Sequence, residues 1–351
     1  MGSRAAVKGV TVQQLRAVGA RIVLANAYHL LLRPGHELIA KLGGLHKFMG
    51  WDGPILTDSG GYQVYSLAHM STVDEDGVTF RSFVDGSAVH LSPERAMEVQ
   101  NALGADIIMA FDDCPPASVT PDADERRRQA HERTLRWLDR CRRAHGRPDE
   151  QALFGIVQGG TDLDLRRASV EGVCNVELPG YAIGGVAVGE SAQDIRRVVE
   201  FTAPRLPADK PRYLMGVGYE RDLVTAVRAG VDMFDCVLPT RNGRNANAFT
   251  PSGRIQLRNA RFREATAVLD PGCDCPACAG GLGRAYLRHL FVSGEMLGPI
   301  LVSLHNLRHY QRLMLDIHKA IREDAWSALA DAWPVTREID STSCKNPTQQ
   351  C

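Results

Sequence analysis

From residue 22 to about residue 237, short apolar runs alternate with stretches in which apolar positions recur every three or four residues. The runs lie at 22–26, 54–58, 105–112, 152–158, 180–185, 212–218 and 233–237, and they are rich in Val, Ile, Leu and Phe. Helical periodicity fills 92–103, 121–145, 161–174, 190–203 and 219–229, and the first of these opens with a capping Ser92 followed by Pro93. Strand-length runs separated by helical stretches predict parallel β–α units. A hairpin turning at Asp85-Gly86 interrupts the alternation.

Seven strands are predicted, and a closed (β/α)8 barrel needs eight. The chain instead opens with a short loop and a helix over 11–18 that no strand precedes. The expectation is an α/β fold, a TIM (β/α)8 barrel lacking its first strand in this chain. On this reading Met1 is an annotated or internal start, and the missing strand is expected upstream of it. A doubly wound open sheet is disfavoured, because no G-x-G-x-x-G follows an early strand. After residue 240 the pattern gives way to Arg, Gly, Pro and Cys, then to helices at 284–293 and 299–323. The predicted organisation is a barrel core over 1–240, an arginine-rich subdomain with closing helices over 241–323, and a terminal helix end and tail over 324–351, mobile after about 335.

Composition narrows the class. With 44% hydrophobic and 23% charged residues in 351, the chain can bury a sizeable core, which excludes a disordered or disulfide-stapled protein. No apolar run approaches the ~18 residues of a membrane span and no apolar signal region opens the chain, so a cytoplasmic location is expected. Lys plus Arg equals Asp plus Glu at 41 each, so a polyanionic partner needs a local basic patch. Residues 236–289 supply one, with eight arginines against Glu264, Asp270 and Asp274, a local net of +5. Arg241 and Arg244 follow the last predicted strand closely, where they can hold phosphates. Arg126, Arg127 and Arg128 stand among acids and read as a solvated helix face.

Three of the nine cysteines cluster as C-x-C-x2-C at Cys273, Cys275 and Cys278. His305, on the following helical segment, completes a Cys3His set for one structural zinc, with His289 and His309 as rivals.

In such barrels, residues at the C-terminal strand ends face the active site. Here those ends carry Asp58, Asp112, Gln158, Gly184-Gly185 and Asp235. Two carboxylates across one pocket suit glycosyl chemistry, one as nucleophile at the anomeric carbon and one as proton carrier. A third carboxylate beside an amide suits a planar base. Asp112 can accept from ring and exocyclic N–H groups, Gln158 and Gly185 can donate to a carbonyl, and Tyr62 and Met215 can sandwich the ring.

The motifs NAYHLLLRPG, LGGLHKFMGW, ILTDSGGYQV, AFDDC, GIVQGG, AIGGVAVGE, YLMGVG and MFDCVLPTRNGR occur in one order over about residues 1 to 320. In this the chain resembles the bacterial queuine tRNA-ribosyltransferases, the tRNA-guanine transglycosylases. The resemblance implies a TIM barrel with a zinc subdomain, acting as a homodimer. It implies exchange of the anticodon wobble guanine of tRNA for a 7-deazaguanine, in queuosine biosynthesis, without a redox or nucleotide cofactor. Asp235 would then be the nucleophile and Asp58 the general acid/base, with Asp112, Gln158, Gly185 and Val186 at the base site. Cys114 and Val188 resemble the pattern for prequeuine, 7-aminomethyl-7-deazaguanine, with Glu190 orienting the Val186–Ala187 peptide. The competing expectations are a silent truncated homologue, a D-arm transglycosylase of archaeal type, and a TIM-barrel glycoside hydrolase. The last would need a Trp-rich cleft, and the chain has four Trp.

Overall fold

The computed structural model describes residues 1–67, 71–115 and 122–337. The predicted tail after 337, with Cys344 and Cys351, lies outside the described residues. The chain divides into two compact units, Met1–Gly218 with Ala226–Val237, and Tyr219–Thr225 with Leu238–Cys351.

The first unit is built on seven parallel strands: β1 Val23–Asn26, β2 Ile55–Asp58, β3 Ile107–Met109, β4 Ala152–Val157, β5 Gly180–Ile183, β6 Arg212–Leu214 and β7 Met233–Phe234. They hydrogen-bond in the order of the sequence, from β1 through to β7. Consecutive parallel neighbours joined by helices are the winding of a (β/α) barrel, here with seven strands as the pattern predicts. Among the described residues β1 pairs only with β2, and β7 only with β6. Along the outer edge of β1, Gly2 N donates to Leu24 O (2.6 Å) and Asn26 N to Ser3 O (3.4 Å). Leu24, Leu56, Met109, Phe154, Ile156, Ala182 and Tyr213 form one buried cluster from six consecutive strands, with Met215 and Met233 packed against it.

The predicted helices are present, the one at 92–103 with its expected cap. Ser92 Oγ accepts from Arg95 N at the start of Pro93–Leu103, and Thr11 and Gln14 form a capping box on Val12–Ala17. Several strands are shorter than their apolar runs, 212–218 forming one only over Arg212–Leu214 and 233–237 only over Met233–Phe234. The run 105–112 forms a strand only over Ile107–Met109, which leaves Phe111 and Asp112 on irregular backbone. The interrupting hairpin, Val78–Arg81 with Ala88–Leu91, gains a third antiparallel strand, Ser71–Val73, that the sequence pattern does not reveal.

In the second unit, helices Leu238–Arg244, Pro276–Ala279, Arg284–Val292, Leu297–Glu323 and Trp326–Ala332 accompany an antiparallel pair, Asn247–Thr250 with Gly253–Gln256, that was not predicted. Gly243 lets the first helix lie directly on the long one, since a Cβ there would sit 2.7 Å from the Ser303 backbone. No helix among the described residues is long and apolar enough to cross a membrane.

Candidate active site and metal centre

Every strand of the parallel sheet delivers a polar or sulfur-bearing residue, or a glycine, at or just beyond its C-terminal end. Asn26 ends β1 and Asp58 ends β2, Asp112 follows β3, Gln158 follows β4, Gly185 follows β5, Met215 follows β6 and Asp235 follows β7. In a parallel sheet these ends share one edge, so residues far apart in sequence, from Asn26 to Asp235, meet there.

Each of the three carboxylates is held by neutral donors. Asp58 is buried; its Oδ1 accepts from Ala27 N (3.0 Å) and its Oδ2 from Asn26 Nδ2. The register that sets Asn26 opposite Asp58 places this amide. Burial pushes the Asp58 carboxyl up to about 7; its two hydrogen bonds oppose the rise, and the charges of Asp235 and Asp112 add to it. Asp112 accepts from Ser59 Oγ (3.3 Å) and Gln158 Nε2 (2.7 Å), and burial carries it up to about 6. Asp235 is half-buried, and its Oδ1 accepts from Tyr213 Oη (2.5 Å) and Gly216 N (2.9 Å). Burial holds the Tyr213 phenol well above its ordinary range, so it is a neutral donor to this carboxylate.

The turn after β2 wraps around Asp112. Gly61 N donates to Ser59 Oγ (3.3 Å), and a Cβ at Gly61 would come within 2.6 Å of Asp112 O. Tyr62, next in the helix Gly61–Leu67, is 42% exposed. Gln158 is buried with its Nε2 on Asp112, and its Oε1 is a buried acceptor for which no hydrogen-bond donor is found among the described residues. Gly185 has φ +60°, and a Cβ on it would lie 2.3 Å from that same Oε1, so only glycine permits this approach. Val186 and Cys114 are buried, the Cys114 thiol driven upward in pKa by its burial, and Val188 N donates to Glu190 Oε2 (2.8 Å).

Cys273, Cys275, Cys278 and His305 come together in the second unit, all four buried, with their ligand atoms within 4.8 Å of one another. Helix Pro276–Ala279 begins between two of the cysteines, and Cys278 N donates to Cys275 Sγ (3.4 Å). His305 Nε2 lies 2.8 Å from Phe249 O, a carbonyl that can only accept. The proton is therefore on Nε2, and the Nδ1 lone pair points at the sulfurs of Cys275 (3.4 Å) and Cys278 (3.5 Å). This donor set fits a tetrahedral soft-metal site, and it separates His305 from its rivals. His289 is exposed beside Ser293, and His309 Nε2 is engaged by Glu220 Oε1 (2.8 Å).

Arg241, exposed, and Arg244, half-buried, lie in the last turn of Leu238–Arg244. Among the described residues none of the eight arginines between 241 and 288 pairs with an acid, while Asp270 and Asp274 are taken by Arg312 and Arg308 of the long helix. The positive excess is therefore uncompensated. The triplet Arg126–Arg128 behaves otherwise. Arg127 and Arg128 pair with Asp124 and Glu125 three residues earlier, but Arg126 leaves the expected solvated face to bind the buried Asp113 (2.5 Å). The sequence pattern does not single out Asn26, Ser59 or Tyr213. Only Asn26, at a strand end, carried a signal that position could have shown.

The sequence profile described as queuine tRNA-ribosyltransferase matches residues 1–338. The queuine tRNA-ribosyltransferase of Thermus thermophilus is 55% identical over 330 residues, 94% of this chain and 84% of that protein. Those of Synechococcus elongatus (53%) and Geobacillus kaustophilus (51%) align over 324 residues, 92% of this chain, and 83% and 84% of their own length. A sequential parallel sheet with three carboxylates at its strand ends, a buried Cys3His cluster and a match of this extent lead to one conclusion: the chain belongs to the queuine tRNA-ribosyltransferase family.

Proposed function

We propose that the chain is a tRNA-guanine transglycosylase that exchanges the anticodon wobble guanine for prequeuine, in queuosine biosynthesis. The observation that carries the reading is the trio of carboxylates held only by neutral donors at the ends of β2, β3 and β7. Glycosyl exchange needs a carboxylate that attacks and one that exchanges a proton near neutrality.

Asp235 attacks the anomeric carbon of the guanosine, the C–N bond breaks, and a ribosyl ester forms on its carboxylate. Tyr213 and Gly216 occupy one of its oxygens, which orients the other for attack. Asp58, with a pKa of about 7, is available in its protonated form to give the departing guanine its proton. The incoming base then loses an N–H proton to Asp58 and displaces Asp235, and two inversions retain configuration. Asp112 accepts from the ring and exocyclic N–H groups, Gln158 and Gly185 donate to the ring carbonyl, and Tyr62 and Met215 cover its faces. The target nucleotide leaves its stack at a cost of a few kcal/mol, least in an anticodon loop.

Cys114, Val188 and the Val186–Ala187 peptide oriented by Glu190 set the choice of prequeuine, because Val188 opposes bases with larger substituents. Arg241 and Arg244 hold tRNA phosphates beside the reacting nucleotide. Cys273, Cys275, Cys278 and His305 would hold one zinc ion, which would supply structural cross-linking. The protein acts as a homodimer in the cytoplasm.

The test is incorporation of labelled guanine into tRNA, together with trapping of a denaturation-resistant protein–tRNA adduct. Asp235→Asn should abolish the adduct and lower exchange by at least about 10³-fold. An adduct that survives this change refutes the assignment of the nucleophile.

A further inference from the structure

The two strand-end segments that carry Gln158 and Gly185 are gripped from behind by a single side chain. Arg166, in the first turn of helix Leu163–Cys174, has no solvent exposure. Its guanidinium donates to three main-chain carbonyls: Nε to Gly160 (2.9 Å), Nη1 to Val157 (3.0 Å) and Nη2 to Gly185 (3.0 Å). Among the described residues no carboxylate pairs with it. A buried arginine without an acid is an uncommon arrangement, because its charge must be satisfied by dipoles alone. Burial lowers Arg166 to about 10, which leaves it protonated at neutral pH.

The three carbonyls are not scattered. Val157 and Gly160 bracket Gln158, and Gly185 lies on the next loop. Three residues along the same helix face, Ser169 Oγ accepts from the Gln158 N–H (3.0 Å). Helix and loop are in direct contact, since a Cβ at Gly159 (φ +131°) would fall 2.9 Å from Arg166 N. Within a trans peptide the C=O and the following N–H point in opposite directions, so turning Gly185 O toward Arg166 also fixes the direction of the Val186 N–H. One planar, rigid donor set therefore spans the two loops beyond the strand ends.

We infer that Arg166 is a positioning residue for base recognition: it sets the spacing between Gln158 and Gly185 by holding the carbonyls of both loops, without touching the base itself. This rests on the reading of the strand-end pocket as the base site. The tolerance there is small, because Gly185 already approaches the Gln158 amide as closely as a missing Cβ permits. A shift of a fraction of an ångström in either loop removes a donor from its partner.

The experiment compares wild type with Arg166→Lys and Arg166→Ala in equilibrium binding of guanine by calorimetry, in KM for guanine and for tRNA, and in amide exchange of residues 184–188. The expected result is a rise in guanine Kd and KM of at least about tenfold, larger than any rise in the KM for tRNA, whose phosphate contacts are untouched. Amide exchange at 184–188 should quicken while the rest of helix 163–174 stays protected. Added methylguanidinium should restore guanine binding to Arg166→Ala. A folded Arg166 variant with unchanged guanine affinity, or one that loses only kcat and thermal stability, overturns the inference and leaves Arg166 a structural residue. If neither Arg166 variant folds, Ser169→Ala carries the same test, and an unchanged guanine Kd there overturns the inference equally. Wild type that forms the adduct yet binds no guanine overturns the base-site reading, and the inference with it.

Discussion

Asp112 and Asp113 are adjacent and both buried, yet they belong to two differently built regions. Asp113 turns toward helix Ala123–Ala144, where Arg126 and Arg133 each approach one of its oxygens to 2.5 Å. The same helix sends Arg136 to Glu75 and Arg140 to Glu94, so its layer is an ion-pair network. Asp112 turns toward the strand ends and meets only a hydroxyl and an amide. Asp58 and Asp235 are treated in the same way. An arginine beside a carboxylate commits its charge to structure and holds its pKa down, as it holds Glu94 down to about 2. A neutral donor fixes the direction of a carboxylate and leaves its charge free to meet a substrate. The fold thus separates acids that stabilise from acids available for chemistry by the type of donor each receives.

The comparison can be broken at several points. The thiol cluster is its extreme case, with groups arranged so that a metal could take up their charge. Cys275→Ser should abolish zinc, measured by elemental analysis, and forfeit much of a binding energy of about 10 kcal/mol or more. Retention of stoichiometric zinc would show that the four ligands are not the site. Asp112→Asn should lower kcat/KM for the incoming base by about 10²–10³-fold, since a paired acceptor becomes a misplaced donor. Its unfolding midpoint in denaturant should stay equal or rise. Asp113→Ala should do the reverse, costing roughly 2–3 kcal/mol of stability, because Arg133 loses its buried partner while Arg126 keeps some access to solvent. Its base KM should not move. If both variants lose stability alone, or both lose recognition alone, the two regions are not distinct.

The smallest effect concerns pH. The folded-state pKa of Asp58 lies above its unfolded value, so its contribution to stability is whole below about 3.8 and is lost as pH rises to about 7. Asp58→Asn removes that loss. Its thermal unfolding temperature relative to wild type should therefore climb between pH 4 and pH 7 and level off above. A difference that is flat across this range would mean that Asp58 is ionised in the fold throughout.

Much of this site was legible in sequence, because strand ends can be counted from hydrophobic runs and a parallel sheet gathers them at one edge. That logic puts Asp58, Asp112, Gln158, Gly185 and Asp235 at one edge. It was silent on what holds them. Tyr213 sits within an apolar run and reads as core, and its hydroxyl partner depends on how β6 and β7 stand beside one another. Arg166 reads as one more charge on an amphipathic helix, since burial of a guanidinium against carbonyls has no periodic signature. Spacing left His305, His289 and His309 as rivals, and the Phe249 carbonyl that selects His305 is 56 residues away. The strand Ser71–Val73 is only three residues long and exposed on two of them, too little alternation to see.

Asn26 has a further consequence. It is the last residue of β1, a strand with one sheet neighbour among the described residues, and its amide holds Asp58. Strand ends are where sheets fray first. Each opening of β1 would withdraw a donor that favours the ionised form of Asp58, so the acidity of a group in the pocket is tied to the breathing of the sheet margin. Residues 2 and 3 are hydrogen-bonded along the outside of that margin, and loosening them would be expected to move a pH–rate profile before it moved a melting curve.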